Sequence, residues 1–299
     1  MSTFRLPPHR RRRLLALVGL VTAFAALALI VVAALGSGGD GDGGQVPAAV
    51  TRSVKATTAT TTTTAVAGPT RTMGEPGPPR PVPILMYHVV SDPLPDSPYP
   101  DLYVPRAEFQ DQMQALKDAG YTAVTLQEWW DSWHADGALP AKPVVVSFDD
   151  GYHSHLANAL PVLRALGWPG VLNLELKNIR SDYGLTVPQV RALIAAGWEL
   201  DSHTLSHPDL TKVGAKRLRR ELVGSREAIA RAFGVTTNFL CLPYGHVDAA
   251  VKAAVRAAGY LGATTTHRGL AAPRGDRFAL PRISVSVRTK PAALLRRLR

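Results

Sequence analysis

The chain has 299 residues and a formal net charge of +11, with 34 Lys plus Arg against 23 Asp plus Glu. Its single cysteine, Cys241, leaves no disulfide partner, so the core must hold by packing, which a chain of this length can supply. The charge does not point to nucleic acid: from Val82 onward there are 25 Lys plus Arg and 20 Asp plus Glu, and most of the excess lies earlier in the chain.

Residues 1–13 are a basic segment ending in Arg10-Arg11-Arg12-Arg13. Leu14–Leu35 carries no charged residue, and as a helix it spans about 33 Å, enough to cross a bilayer. The basic side is expected to stay in the cytoplasm, which makes residues 14–35 a single-pass signal-anchor with the remainder outside the cell membrane. Cleavage near Ala33-Ala34-Leu35-Gly36 and secretion is the alternative. Residues 36–81 run from a Gly-rich start through Thr60–Thr64 to Pro76, Pro78, Pro79 and Pro81. Such a composition buries too little apolar surface to order itself, and it predicts a disordered linker. One folded domain, 82–290, remains, followed by a solvated basic tail over 291–299.

Within that domain, short apolar runs alternate with helical patterns. Strands are expected at Ile84–Val90, Thr122–Leu126, Val144–Phe148, Gly170–Leu176, Trp198–Leu200, Phe239–Leu242, Leu261–Thr265 and Ala279–Val287. Helices are expected over Ala107–Ala119, Leu156–Leu166, Val187–Ala196, Ala215–Phe233 and Val247–Ala258. Alternation of this kind predicts a parallel sheet, open or closed into a barrel.

Two segments carry chemistry. Ser147-Phe148-Asp149-Asp150-Gly151 places two carboxylates together after an apolar run, and His203-Thr204-Leu205-Ser206-His207 offers two imidazoles four residues apart. One carboxylate and two neutral imidazoles suit a divalent metal with open positions, and the second carboxylate is free to act as a base on water. Adjacent acids near an apolar core repel unless a cation lies between them. His153 and His155 fall on the first turn of a helix, His267 lies after a strand end, and Trp129, Trp130 and Trp133 are spaced as a packing stripe. Tyr99, Tyr103 and Tyr152, in loops near the presumed mouth, are the better candidates for stacking on a sugar.

Together with Leu242-Pro243-Tyr244-Gly245, these segments resemble the first three motifs of the polysaccharide deacetylases, carbohydrate esterase family four. The resemblance covers about Pro83–Val287, and Pro83-Ile84-Leu85-Met86-Tyr87-His88 is closer to the poly-N-acetylglucosamine deacetylase branch than to the chitin branch. It implies a distorted (β/α) barrel and metal-dependent removal of N-acetyl groups from N-acetylglucosamine units of a cell-surface or cell-wall polysaccharide. By residue, it implies Asp150, His203 and His207 as metal ligands, Asp149 as catalytic base and the Tyr244 backbone N–H as oxyanion donor. Zinc is the default ion, with cobalt, nickel and manganese as alternatives. Two departures stand out. Cys241 occupies the place of an Arg that usually holds the catalytic Asp, and a late Leu-x-His is missing. His88 is then the expected general acid, approaching the metal from the side opposite Asp149, and Arg282 the expected replacement for the missing Arg. A non-catalytic glycan-binding descendant and an amidase for a small amide are the competing readings.

Overall fold

The computed structural model describes residues 73–74, 79–135 and 137–298. The expected basic segment, the signal-anchor at 14–35 and most of the linker lie outside the described residues. Among the described residues, no helix is long and apolar enough to cross a membrane. At the end of the expected linker, the Gly74 N–H donates to the Leu139 carbonyl, and Arg80 donates to the Pro140 carbonyl.

Eight strands form one all-parallel sheet: β1 (Ile84–Tyr87), β2 (Thr122–Val124), β3 (Pro143–Asp150), β4 (Val171–Leu174), β5 (Glu199–Ser202), β6 (Phe239–Cys241), β7 (Gly262–Arg268) and β8 (Leu280–Ser284). Because β1 pairs with both β8 and β3, seven strands close into a barrel. The eighth, β2, pairs only with the first residues of β3. It ends at Val124 because the Thr125 side chain accepts from the Glu128 N–H and, with Glu128, forms the capping box that starts the next helix.

The helices are α1 (Arg106–Asp118), α2 (Leu126–His134), α3 (Leu160–Ala165), α4 (Val187–Ala195), α5 (Ala215–Phe233), α6 (Ala249–Ala257) and α7 (Pro291–Arg297). The helix expected at 156–166 is instead a π-helical turn, His155–Ala159, leading into α3. The expected solvated tail is corrected too. Pro291 opens α7, whose Leu294 is buried, and Leu298 just beyond it is 5% exposed. Apolar spacing outweighs the arginines between these leucines.

Strand alternation sorts β3 into two faces. Val144, Val146 and Phe148 join the layer between barrel and helices, whereas Val145 joins an inner cluster with Ile84, Val171 and Phe239. Continuing inward, the same face presents Ser147 and then Asp149. The inner face of β3 is therefore apolar at its N-terminal end and polar at its C-terminal end, where barrels of this type place their chemistry.

Candidate active site

Asp149 and Asp150 are the last two residues of β3, not residues beyond it. Asp149 is 2% exposed and pairs in register with Asn173 of β4. Its Oδ1 accepts from Asn173 Nδ2 at 2.7 Å and from Arg282 Nη1 at 2.8 Å, and its Oδ2 accepts from Arg282 Nη2 at 2.8 Å. Arg282, on the inner face of β8, is only 1% exposed and also donates Nε–H to the Thr265 carbonyl. The position expected for it beside Asp149 is the one it occupies. Cys241 lies at the same carboxylate, with Sγ 3.5 Å from Oδ2. Burial alone raises a carboxyl pKa, but for Asp149 the bidentate guanidinium more than reverses this and holds it well below the usual carboxylate range.

The metal-ligand candidates converge on the other acid. Asp150 Oδ1 is 3.4 Å from His203 Nε2 and 3.8 Å from His207 Nε2, and one ligand atom from each residue lies within 4.8 Å of the others. His203 Nδ1 is 2.8 Å from the Cys241 carbonyl. A carbonyl can only accept, so Nδ1 carries the proton and Nε2 faces Asp150. Burial and the neighbouring Asp149 raise the Asp150 carboxyl, but His203, with a smaller contribution from His88, outweighs them and pushes it down to about 2. Burial and the neighbouring His203 push His207 down to about 4, leaving its lone pair free at neutral pH. Burial also lowers His203, but Cys241 and the two carboxylates outweigh it and hold a proton there. One carboxylate oxygen and two imidazole nitrogens gathered in this way fit a divalent ion. A second group, Asp149, His203 and Cys241, meets the same distance limit, but Arg282 and Asn173 already occupy the Asp149 oxygens.

Backbone strain concentrates here. Among the described residues, the non-glycine positions with positive φ are Asp150, Thr204, His207 and Tyr244, all at this centre. The turn at Tyr244 also depends on Gly245, where a Cβ would lie 2.3 Å from the Thr266 nitrogen. Tyr244 sits in the first turn of a short 3-10 helix, where N–H groups lack intrahelical acceptors, and its ring stands edge-on to His207 at 4.7 Å.

The loop bearing His203 and His207 is held from α5. Glu221, 4% exposed, accepts from the Leu205 and Ser206 N–H groups at 3.0 and 3.1 Å and from the Ser206 hydroxyl at 2.7 Å. Sequence reasoning missed Glu221. The available signal was a charged residue on the same face as Leu218 and Leu222.

His88 lines the same cleft, but on a different side from the one expected. Its Nε2 is 3.8 Å from Asp149 Oδ2, so it stands beside Asp149 rather than opposite it. Register explains the correction: Tyr87 pairs with Phe148, so the following residues of β1 and β3 emerge side by side. His155 is buried behind it, with Nε2 2.5 Å from the His88 carbonyl. His267 is exposed and outside the cleft lining, whereas Tyr99, Tyr152 and Tyr183 contribute to that lining. Trp129 is fully buried, with Trp133 packed against it at 4.3 Å between ring centroids.

A family model described as "Polysaccharide deacetylase" matches residues 136–263. Over 208 residues, 70% of this chain, it is 30% identical to YxkH of Bacillus subtilis (strain 168), whose name places it among the polysaccharide deacetylases; 72% of that protein is covered. It is also 31% identical over 87 residues to the poly-beta-1,6-N-acetyl-D-glucosamine N-deacetylase of Escherichia coli (strain K12), which is 29% of this chain and 13% of that one. Among solved structures, BC0361, a polysaccharide deacetylase from Bacillus cereus, is similar with a TM-score of 0.67 at 28% identity, covering 74% of this chain and 69% of that one. The chain belongs to the polysaccharide deacetylase family and is a hydrolase.

Proposed function

We propose that the protein removes N-acetyl groups from N-acetylglucosamine units of a cell-surface or cell-wall polysaccharide, using a divalent ion held by Asp150, His203 and His207. The observation that carries this reading is the bidentate Arg282–Asp149 pair set directly beside the Asp150–His203–His207 group. A glycan-binding descendant without catalysis has no need of a buried carboxylate kept ionised next to a cation site. Zinc suits this donor set best.

When bound, the ion supplies Lewis-acid chemistry, polarising the acetamide carbonyl and lowering the pKa of water. The Asp149 carboxylate accepts a proton from the water that attacks the carbonyl carbon. Arg282 and Asn173 fix the orientation of that carboxylate but also weaken it as a base, so the proton must move on. His88 Nε2, 3.8 Å from Oδ2, is placed to deliver a proton to the departing amine. The Tyr244 N–H would donate to the oxygen that gains negative charge. We also place this domain outside the cell, tethered through residues 14–35 or released after cleavage. Membrane fractionation of the full chain tests that placement, which fails if the protein is cytosolic.

The catalytic reading is tested by acetate release from N-acetylglucosamine oligomers and from peptidoglycan, with and without chelator. Release that chelator abolishes and zinc restores is the expected result. Acetate release from a small amide alone, with none from any glycan, would favour the amidase reading.

A further inference from the structure

β1 ends at Tyr87, and the chain runs on through His88, Val89 and Val90 beyond the eight-stranded sheet. The backbone polar groups of this segment still need partners. Two are met by the loop ahead of α1: the Val89 N–H donates to the Leu102 carbonyl at 3.0 Å, and the Val89 carbonyl accepts from the Val104 N–H at 2.9 Å. Three more are met by side chains of one short stretch. Ser154 Oγ accepts from the Val90 N–H at 3.0 Å, Asn158 Nδ2 donates to the Val90 carbonyl at 2.7 Å, and His155 Nε2 lies 2.5 Å from the His88 carbonyl.

That stretch is the π-helical turn His155–Ala159, with Ser154 as its N-cap. The Leu160 N–H donates to the His155 carbonyl five residues back, and Pro161 follows with no N–H to give to the Ala157 carbonyl. A proline ring also crowds the carbonyl four residues before it, which the wider turn relieves. His155 is fully buried against Phe148 and Tyr152, at 5.2 and 5.9 Å between ring centroids. Burial lowers its pKa to about 4, so the ring is neutral and carries one proton. The His88 carbonyl can only accept, which places that proton on Nε2. Nδ1 is left with no partner among the described residues, a cost to folding that an apolar side chain would avoid. What the imidazole adds in return is the bond to His88.

We propose that this π turn anchors the general acid: His155, with Ser154 and Asn158, acts as a positioning residue that fixes the His88 backbone and so aims the His88 ring into the cleft. The inference rests on the reading of His88 as proton donor to the departing amine, and adds what holds it there. Held at its backbone, His88 keeps Nε2 at 3.8 Å from Asp149 Oδ2. A displacement of about 1 Å at a reacting group costs on the order of 10²-fold in rate, so the anchor matters to turnover although it touches no substrate.

The test is a double-mutant cycle on kcat for acetate release from an N-acetylglucosamine oligomer, with bound zinc and circular dichroism measured on every preparation. Zinc-loaded His155→Leu should lose at least about tenfold in kcat, and no more than His88→Ala loses, because a positioning residue forfeits only what the acid contributes. KM and bound zinc should stay at the parent's values. His155→Gln, whose amide N–H can donate to the same carbonyl, should recover most of the loss. Added to His88→Ala, His155→Leu should cost nothing further. If His155→Leu does not fold, Ser154→Ala combined with Asn158→Ala releases the same segment and carries the same cycle. Losses that multiply in the variant lacking both His88 and the anchor, or parent kcat in the folded anchor variant, would overturn the positioning role. Parent kcat in zinc-loaded His88→Ala would instead overturn the acid reading, and the inference with it.

Discussion

Two pairs of carboxylates line one barrel, each with one member buried and the other half-buried, and they resolve the same problem in opposite ways. At the C-terminal mouth, Asp149 and Asp150 meet Arg282, His203 and His207, and both carboxyls are pushed below their ordinary range. Lower on the inner wall, Glu199, the first residue of β5, and Asp201, which pairs in register with Asn173, have no such cation. Glu199 accepts from the Leu126 and Gln127 N–H groups at 2.6 and 3.1 Å, and Asp201 Oδ1 from the Phe239 N–H at 3.1 Å, while the two acid side chains also interact with each other. Burial raises Glu199 to about 7 and pushes Asp201 up as well, so the pair retains a proton. Burial alone therefore does not make a catalytic acid pair. The cations around it determine whether a carboxylate stays charged and able to act.

Removing the cation from the upper pair should break this contrast most severely. Arg282→Met leaves a buried charge uncompensated, a change that costs about 3–5 kcal/mol of stability. Denaturant unfolding should register that loss, and adding Asp149→Asn should recover part of it. An Arg282→Met protein as stable as the parent would mean that Asp149 is held by Asn173 and Cys241 instead.

His88 sharpens the comparison, since only the upper pair has a neighbour placed to pass a proton onward. His88→Ala should lower turnover by about 10²–10⁴-fold with metal content intact. Loss of metal in that variant would instead make His88 part of the ion's support.

The lower pair gives the smallest effect, seen as pH dependence. Glu199 has a higher pKa folded than unfolded, so the folded state binds the extra proton. Stability from that proton is complete below the unfolded value of about 4.5 and declines as pH rises toward 7. Urea midpoints across that interval should fall in the parent, and the decline should be shallower in Glu199→Gln. A variant with the parent's slope would remove Glu199 as its source.

The site was legible in the sequence where scarce chemistry occurs in tight spacing. Asp149 with Asp150 and His203 with His207 need no tertiary knowledge to be picked out. The Arg282–Asp149 pair was legible only through the family resemblance, in which Cys241 stands where an Arg usually holds the catalytic Asp; the residues around Arg282 fitted a surface ion pair nearly as well. His88 shows where such reading stops. Its side of the cleft follows from the pairing of Tyr87 with Phe148, and strand register is a long-range property. Glu221 and Tyr183 are single residues in a helix and a loop, with no local motif to distinguish them. The fold was legible in its alternation but not in its ends. Thr125 and Asp248 cap helices where apolar runs had been extended past them, and the arginines of α7 masked the spacing of Leu294, Leu295 and Leu298.

The most direct test of the central claim sets Asp149→Asn beside His207→Ala and measures bound zinc and acetate release on the same preparations. Asp149→Asn should keep the ion and lose turnover by about 10²–10⁴-fold, whereas His207→Ala should lose both together. Full turnover in zinc-loaded Asp149→Asn would contradict the assignment of Asp149 as the ionised base beside the cation site.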